Sequence, residues 1–318
     1  MTRPPFTVSS KAISMIAEIS ALVERFAIRF ERDALKLRRA NKIKTIFSSL
    51  AIEGNTLSET QVGDILNGKN VVAPIRELQE VKNAIAVYDN FTSFNPFSLE
   101  DLLRAHAQMM SALVETAGQF RQSGVGVFDG DRAVHIAPPF ERVPELMANL
   151  FDWLKNADDH LLIRSCVFHY EFEFIHPFAD GNGRMGRLWQ SLILSKLNTV
   201  FQYLPVETLV HDNQLKYYEA INTSTANNDS GAFIDFMLGE LLNALKIHQG
   251  EPIGRVSGSV SGRVKEVLGY VKAHEGCNAA ELSAALSIPK RTLARDLKKL
   301  ADQVEFRGAP KTGGYYLK

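Results

Sequence analysis

The chain has 318 residues, 45% hydrophobic and 23% charged, a composition that excludes a disordered or low-complexity scaffold and suits two or three folded domains. Lys+Arg and Asp+Glu both number 36, so no net field draws the whole molecule to nucleic acid or an anionic membrane. Cys166 and Cys277 have no CxxC spacing and read as reduced core thiols, and neither a secretory pattern nor an apolar run of about 18 residues is present, so a cytoplasmic protein is expected.

In chain order, residues 10 to 44 interleave Arg25, Arg29, Arg32, Lys36, Arg38, Arg39, Lys42 and Lys44 with apolar positions and with Glu24, Glu31 and Asp33. The mixed signs read as a solvated helix face rather than a nucleic-acid surface. Glu53, before Gly54-Asn55, reads by itself as a polar residue near a helix C-terminus. Ser98, with Asp101 three residues on, is expected to cap a new helix after Pro96. Val125-Gly-Val-Phe and Ala133-Val-His-Ile flank Asp129-Gly-Asp-Arg, the pattern of a β-hairpin closed by Pro138-Pro139. Ile163, Cys166, Val167, Tyr170 and Phe174 then follow the spacing of one buried helix face.

That helix runs to His176, which precedes Pro177 and so is pushed out of helical geometry. Met185, Leu188, Trp189, Leu192 and Ile193 resume helical spacing, so Asp180-Gly-Asn-Gly183 must be a tight loop feeding a helix N-terminus. Such an N-terminus offers N–H groups and a positive dipole end to anions. Arg184 and Arg187 lie one turn apart there, where the dipole disfavours cations, and two guanidinium forks in that place suit a polyphosphate. Asp180 is a candidate Mg²⁺ ligand, since Mg²⁺ usually takes one carboxylate plus phosphate oxygens. His176, a side chain with an unperturbed pKa of about 6.5, is a candidate general base for an attacking hydroxyl.

His176-Pro-Phe-Ala-Asp-Gly-Asn-Gly-Arg-Met-Gly-Arg187 resembles the signature HPFxDGNGRxxR of the Fic family at every specified position. The resemblance extends through Gly118-Gln-Phe-Arg121, the hairpin and Glu207 to Tyr217-Tyr218, covering roughly residues 45 to 240. It implies a mainly α fold, a Fic-type helical core with a short β-hairpin flap, whose members mostly transfer AMP from ATP to a Ser, Thr or Tyr hydroxyl. On that likeness His176 is the base, Asp180 holds Mg²⁺, Asn182 and Gly183 cradle the α-phosphate in the loop with Gly181, Arg184 takes the inner phosphates and Arg187 the terminal one. Phe178 would be a core anchor. Tyr217 and Tyr218 are candidates for stacking on the base. Gly183 stands where phosphate-transferring relatives carry Lys, which favours AMP transfer. The hairpin, with Val125, Val127, Val134 and Ile136, corresponds to a flap that would clamp a target protein by strand addition. Ser49-Leu-Ala-Ile-Glu53-Gly54 resembles the family's inhibitory pattern [S/T]xxxE[G/N]. It implies that Glu53 pairs with Arg187 and withholds it from the terminal phosphate. Related alternatives are an enzyme that removes AMP or does both, and transfer from UTP or CTP.

Residues 251 to 262 are rich in Gly, Ser and Pro and read as a linker. The expected division is 1–95, an N-terminal helical region; 96–250, the core; 251–262, the linker; and 263–318, a C-terminal domain. In the last, Val264, Val267, Leu268 and Val271 make one helix face, Asn278 with Glu281 opens a second helix, Pro289 to Leu300 forms a third, and two strands follow. Three helices and a hairpin resemble a winged helix-turn-helix. From Ser259 onward eleven Lys/Arg face six Asp/Glu, and Lys290, Arg291, Arg295, Lys298 and Lys299 crowd the third helix. DNA binding is therefore the rival expectation from another class, a regulator whose core only senses nucleotide. A homodimer is compatible with this architecture.

Overall fold

The computed structural model describes all residues except 1–2, 31–33, 130–131, 203, 205, 251–261, 287–292, 294–296, 298–299, 301–302 and 309–312. Contacts divide the chain into two compact units, Met1–Gly254 and Arg255–Lys318. No helix among the described residues is long and apolar enough to cross a membrane.

The first unit is helical: α1 (Ser10–Phe30), α2 (Ala34–Ile52), α3 (Glu59–Leu66), α4 (Ile75–Asp89) and α5 (Leu99–Met109) precede the hairpin β1 (Gly126–Asp129) and β2 (Arg132–Ile136). After it come α6 (Val143–Asn156), α7 (Leu161–Ile175), α8 (Asn182–Leu197), α9 (Val206–Asp212), α10 (Gln214–Asn227) and α11 (Gly231–Gly250). The capping chemistry is local and explicit. Ser58 and Gln61 satisfy each other's orphan N–H groups at the start of α3, and Ser98 Oγ accepts from Asp101 N at 3.2 Å at the start of α5.

The centre is the pair α7 and α8. Leu162, Ile163, Cys166, Val167, Phe168, Phe172 and Ile175 of α7 are all buried, so this helix is apolar nearly all round and other helices must surround it. α8 packs along it, with Gly186 allowing close approach: a Cβ there would stand 2.6 Å from Glu173 Oε1. α1 packs on α11 and α2 on α9, and the N-terminal helices share one continuous hydrophobic core with α7 and α8.

The hairpin is antiparallel, and its pairing shifts between Val127 and Phe128, from Val127↔His135 to Phe128↔Ala133, so Val134 is the extra residue of a bulge. The expected turn residues Gly130 and Asp131 lie outside the described residues. So does most of the expected linker.

The second unit holds α12 (Gly262–Ala273), α13 (Ala279–Ala285) and the antiparallel pair β3 (Val304–Arg307) and β4 (Gly314–Leu317). Asn278 Oδ1 accepts from Glu281 N at 3.1 Å and Glu281 Oε2 from Asn278 N at 3.0 Å, a reciprocal cap on α13. Of the expected third helix only Leu293, Leu297 and Leu300 are described, each buried with Val267 and Val271. The basic residues Lys290, Arg291, Arg295, Lys298 and Lys299 lie outside the described residues.

Candidate active site

α7 stops at His176, whose φ of 51° and ψ of 61° are left-handed. The proline rule predicts departure from the helix, but toward extended backbone. A non-glycine residue here carries a cost of roughly 1–2 kcal/mol, so something must hold it. Arg121, 3% exposed, does so. Its Nε donates to His176 O at 2.8 Å, its Nη2 to Ile175 O at 3.3 Å and to Pro138 O at 2.5 Å, and its backbone N to Pro177 O at 2.9 Å. One buried guanidinium thus caps α7 and ties it to the foot of the hairpin. His176 Nδ1 lies 3.4 Å from the carbonyl of Glu173. A carbonyl only accepts, so this contact places the proton on Nδ1 and the lone pair on Nε2.

The loop after Pro177 is fastened from both sides. Phe178 is fully buried and stacks on His106, ring centroids 3.6 Å apart. His106 Nδ1 accepts from Gly118 N at 2.8 Å, so Nε2 carries the proton and donates to Asp180 O at 3.0 Å. Burial depresses the His106 pKa to about 4, which keeps the ring neutral in that role. Asn182 accepts from Phe178 N at 2.9 Å through Oδ1 and donates to Phe178 O at 2.8 Å through Nδ2. Its side chain is therefore committed to the loop, and what it offers an anion is its backbone N–H. Gly181, φ 86°, turns the chain into α8, and a Cβ there would meet Met110 Sδ at 2.7 Å.

The first-turn N–H groups of α8 have no acceptor within the helix. Around them the charges are paired. Asp180 Oδ1 contacts Arg184 Nη2 at 3.1 Å and Asp180 Oδ2 contacts Arg76 Nη2 at 3.2 Å. Glu80 Oε1 stands 3.7 Å from Arg184 Nη1 and 3.6 Å from Arg76 Nε, which closes a four-residue ring of alternating charge. Arg187, 1% exposed, donates through Nη2 to Glu53 Oε1 at 2.7 Å and to Ser49 O at 3.0 Å. Burial, the largest single influence, acts to lower the Arg187 pKa, and the Glu53 charge and hydrogen bond together with Tyr217 and Glu173 outweigh it, so the guanidinium is held above its ordinary value. Among the described residues, Arg184 Nε and Nη1 and Arg187 Nε are buried without a hydrogen-bond acceptor. Buried donors in that condition ask for an anion.

Glu53 reaches the site because α2 ends on Gly54, φ 89°, with Asn55 N donating back to Leu50 O at 3.1 Å. Its carboxylate stands over the first turn of α8: a Cβ on Gly183 would lie 2.5 Å from Glu53 Oε1 and 3.0 Å from Arg187 Nη1. Of the expected inhibitory pair, Ser49 contributes its carbonyl. The two tyrosines part company. Tyr217 is 3% exposed, its hydroxyl 3.0 Å from His169 Nε2 and its ring against Phe233 and Phe236, so it belongs to the core and not to an open stacking surface. Tyr218 is 44% exposed. Of the flap residues Val125 is half-buried, its carbonyl accepting from Ala137 N at 3.3 Å, while the side chains of Val127, Val134 and Ile136 lie outside the described residues.

Arg76, Glu80, His106 and Glu173 were not singled out from the sequence. Glu173 Oε1 is buried without a hydrogen bond, and burial, opposed by Arg187 and reinforced by Glu53, raises its pKa to about 7. Glu173 lies three residues before His176, less than one helical turn, and in a helix that is apolar nearly all round that spacing by itself gives no signal.

The Fic/DOC family profile matches residues 96–194. The crystal structure of a Fic family protein from Desulfovibrio desulfuricans G20 aligns with a TM-score of 0.76 and 39% identity, covering 100% of this chain and 98% of that one. The chain is 32% identical over 258 residues to the protein adenylyltransferase Fic of Culex quinquefasciatus, covering 72% of this chain and 49% of that protein. It is 30% identical over 203 residues to the protein adenylyltransferase fic-1 of Caenorhabditis elegans, covering 59% and 38%. It spans about half the length, or less, of these curated relatives. A fragment of Fic-1 from C. elegans shares the fold at a TM-score of 0.61 and 22% identity, over 75% of this chain and 72% of that one.

Proposed function

The chain belongs to the Fic family, and from its site we propose that it transfers AMP from ATP to a Ser, Thr or Tyr hydroxyl of a protein, held in check by Glu53. The observation that carries this reading is the start of α8, where N–H groups without an acceptor in the helix, Arg184 and Arg187 converge and where Glu53 takes an anion's place beside Gly183.

In the reaction the target oxygen attacks the α-phosphorus while the bond to the β-phosphate oxygen breaks and pyrophosphate leaves. His176 Nε2 takes the hydroxyl proton, its orientation held by Arg121 on the carbonyl side and by the Glu173 carbonyl at Nδ1. Charge that develops on the phosphoryl oxygens meets the loop N–H groups and Arg184, whose positions are set in advance by Asn182 and His106. Arg187 is suited to the terminal phosphate. No group of three or more His, Cys, Asp or Glu among the described residues could hold a metal by itself, and Asp180 is partly exposed at the loop. That fits a cation held by one carboxylate and by phosphate oxygens, where it would neutralise the phosphate charge.

Glu53 opposes this arrangement in two ways. It takes the Arg187 fork, and it puts a negative charge where phosphate oxygens would approach the helix N-terminus. The hairpin, a two-stranded sheet, is the element suited to add a target segment as a further strand. Incubation with α-labelled ATP and Mg²⁺ tests the proposal: label on protein, raised by Glu53→Gly and absent with His176→Ala, supports it. No label from Glu53→Gly protein with any of ATP, UTP or CTP would sink it.

A further inference from the structure

A second concavity, of about 670 Å³, is lined by α2, the end of α4, α8, α9 and the turns between them, and none of residues 176–187 takes part in it. Its volume is that of a site for a small organic ligand. Glu207 is its most buried polar group, 1% exposed, with Oε1 accepting from Tyr88 Oη at 2.8 Å and Ser191 Oγ at 3.3 Å. Among the described residues no cation forms an ion pair with Glu207; burial raises its pKa to about 7. A carboxylate has about four acceptor sites; Tyr88, Ser191 and the backbone N–H of Glu207 itself occupy three, which leaves one. Buried carboxyl groups with acceptors to spare, lining a cavity, call for N–H donors from a ligand.

The remaining lining narrows the chemistry. Tyr88, Phe91 and Phe201 supply aromatic rings, the first two lying within 5° of parallel. Arg39 and Lys42 of α2 stand at the exposed side, Lys42 paired with Asp89, so the mouth carries two cations against one anion. A planar ring with N–H donors on its edge and an anionic tail matches all three features: donors to Glu207, ring to the aromatic wall, tail to Arg39 and Lys42.

We propose that this cavity is a second ligand site, taking a nucleoside monophosphate with a guanine-type base on Glu207 and its phosphate at Arg39 and Lys42. The proposal is independent of the AMP-transfer reading, because it concerns binding at residues that reading does not use.

Titration calorimetry of the full chain with GMP, guanosine and inorganic phosphate tests it. GMP should bind saturably, with affinity reduced about tenfold or more, some 1.4 kcal/mol, in Glu207→Gln and in Lys42→Ala, and retained in Arg184→Ala. Guanosine and phosphate should each bind at least tenfold more weakly than GMP. Since Glu207→Gln could disturb packing, Thr92→Trp, a change at an exposed position of the rim, should close the mouth and abolish GMP binding with Tm preserved. The proposal is overturned if GMP gives no binding, if phosphate binds as well as GMP, if Thr92→Trp leaves GMP binding intact, or if binding is lost in Arg184→Ala and kept in Glu207→Gln.

Discussion

Glu53→Ala removes one carboxylate from a pair in which the guanidinium is almost wholly buried, and the consequences can be sized. Deleting one partner of a fully buried ion pair costs about 3–5 kcal/mol. The Glu53 side chain is 29% exposed and Ser49 O continues to accept from Arg187 Nη2 at 3.0 Å. Roughly half the buried figure, about 2 kcal/mol, is then the expected loss of stability by the discount for solvent screening. For a unit of this size that lowers Tm by about 4–8 °C. On the proposed function the same pair opposes binding of a terminal phosphate, so its removal should raise the labelling rate with α-labelled ATP about 30-fold, the factor that about 2 kcal/mol gives. ATP with Mg²⁺ should also raise Tm more in the variant than in the wild type, because the phosphate replaces the missing carboxylate. Scanning calorimetry and initial labelling rates measure both. A variant with unchanged Tm and unchanged labelling would refute the reasoning, because the pair would then neither stabilise the fold nor obstruct the site.

Four other outcomes follow from particular contacts. His176→Asn should abolish labelling with little loss of Tm, since Asn tolerates the left-handed backbone, whereas His176→Ala should abolish it and also lower Tm. Gly183→Ala should keep labelling low even when combined with Glu53→Gly, because the methyl group stands 3.0 Å from Arg187 Nη1, in the space an anion needs; restored labelling in the double variant would contradict this. Asn182→Ala, by removing both bonds to Phe178, should cost about 2 kcal/mol from two buried groups left unpaired, measured by urea unfolding. Glu173 has a folded pKa of about 7, above its ordinary value of 4.5, so the folded state binds its proton more tightly than the unfolded state. Its contribution to stability is therefore present at low pH and is lost as pH rises from the unfolded value through about 7. Tm should fall over that window in the wild type and fall less in Glu173→Gln.

Much of the local architecture was legible in residue patterns because it is written in near neighbours. Ser98 and Asp101, Asn278 and Glu281, and the break at His176-Pro177 each involve residues one to three positions apart. The helix spacing of Ile163 to Phe174 likewise announced a buried α7, although burial on nearly all sides depends on helices that arrive from both ends of the chain. The contacts that shape the site are of another kind. Arg121 caps α7 from 55 positions away and Arg76 reaches Asp180 across 104, and no local rule couples such pairs. Glu53 and Arg187, 134 positions apart, were paired in advance only through a resemblance. Tyr217 and Tyr218 were both candidates for stacking on the base, but successive residues on a helix point about 100° apart, and Tyr217 packs in the core beside His169 while Tyr218 is exposed. The sharpest surprise, the left-handed His176, needs a buried guanidinium to hold it, and nothing adjacent to His176 encodes that.

Each arginine at the start of α8 already has a carboxylate partner: Arg187 has Glu53, while Arg184 has Asp180 and, more distantly, Glu80. If this is the proposed nucleotide site, a polyphosphate must displace at least one of them, and the structure distinguishes their costs. Asp180 sits in a loop held by His106 at its carbonyl and by the Asn182 clamp, so moving it would unmake the loop that supplies the N–H groups. Glu80 is tied to Asn55 Nδ2 at 2.8 Å as well as to the arginines. Glu53 hangs from the last turn of α2, at the point where Gly54 breaks the helix, and its carboxylate is partly in water. It is the partner whose departure leaves the anion site intact. On the proposed function, control of this site resolves to the C-terminal turn of α2, and the Asn55–Glu80 bond gives that turn a direct mechanical connection to α4 and so to the ring that contains Asp180.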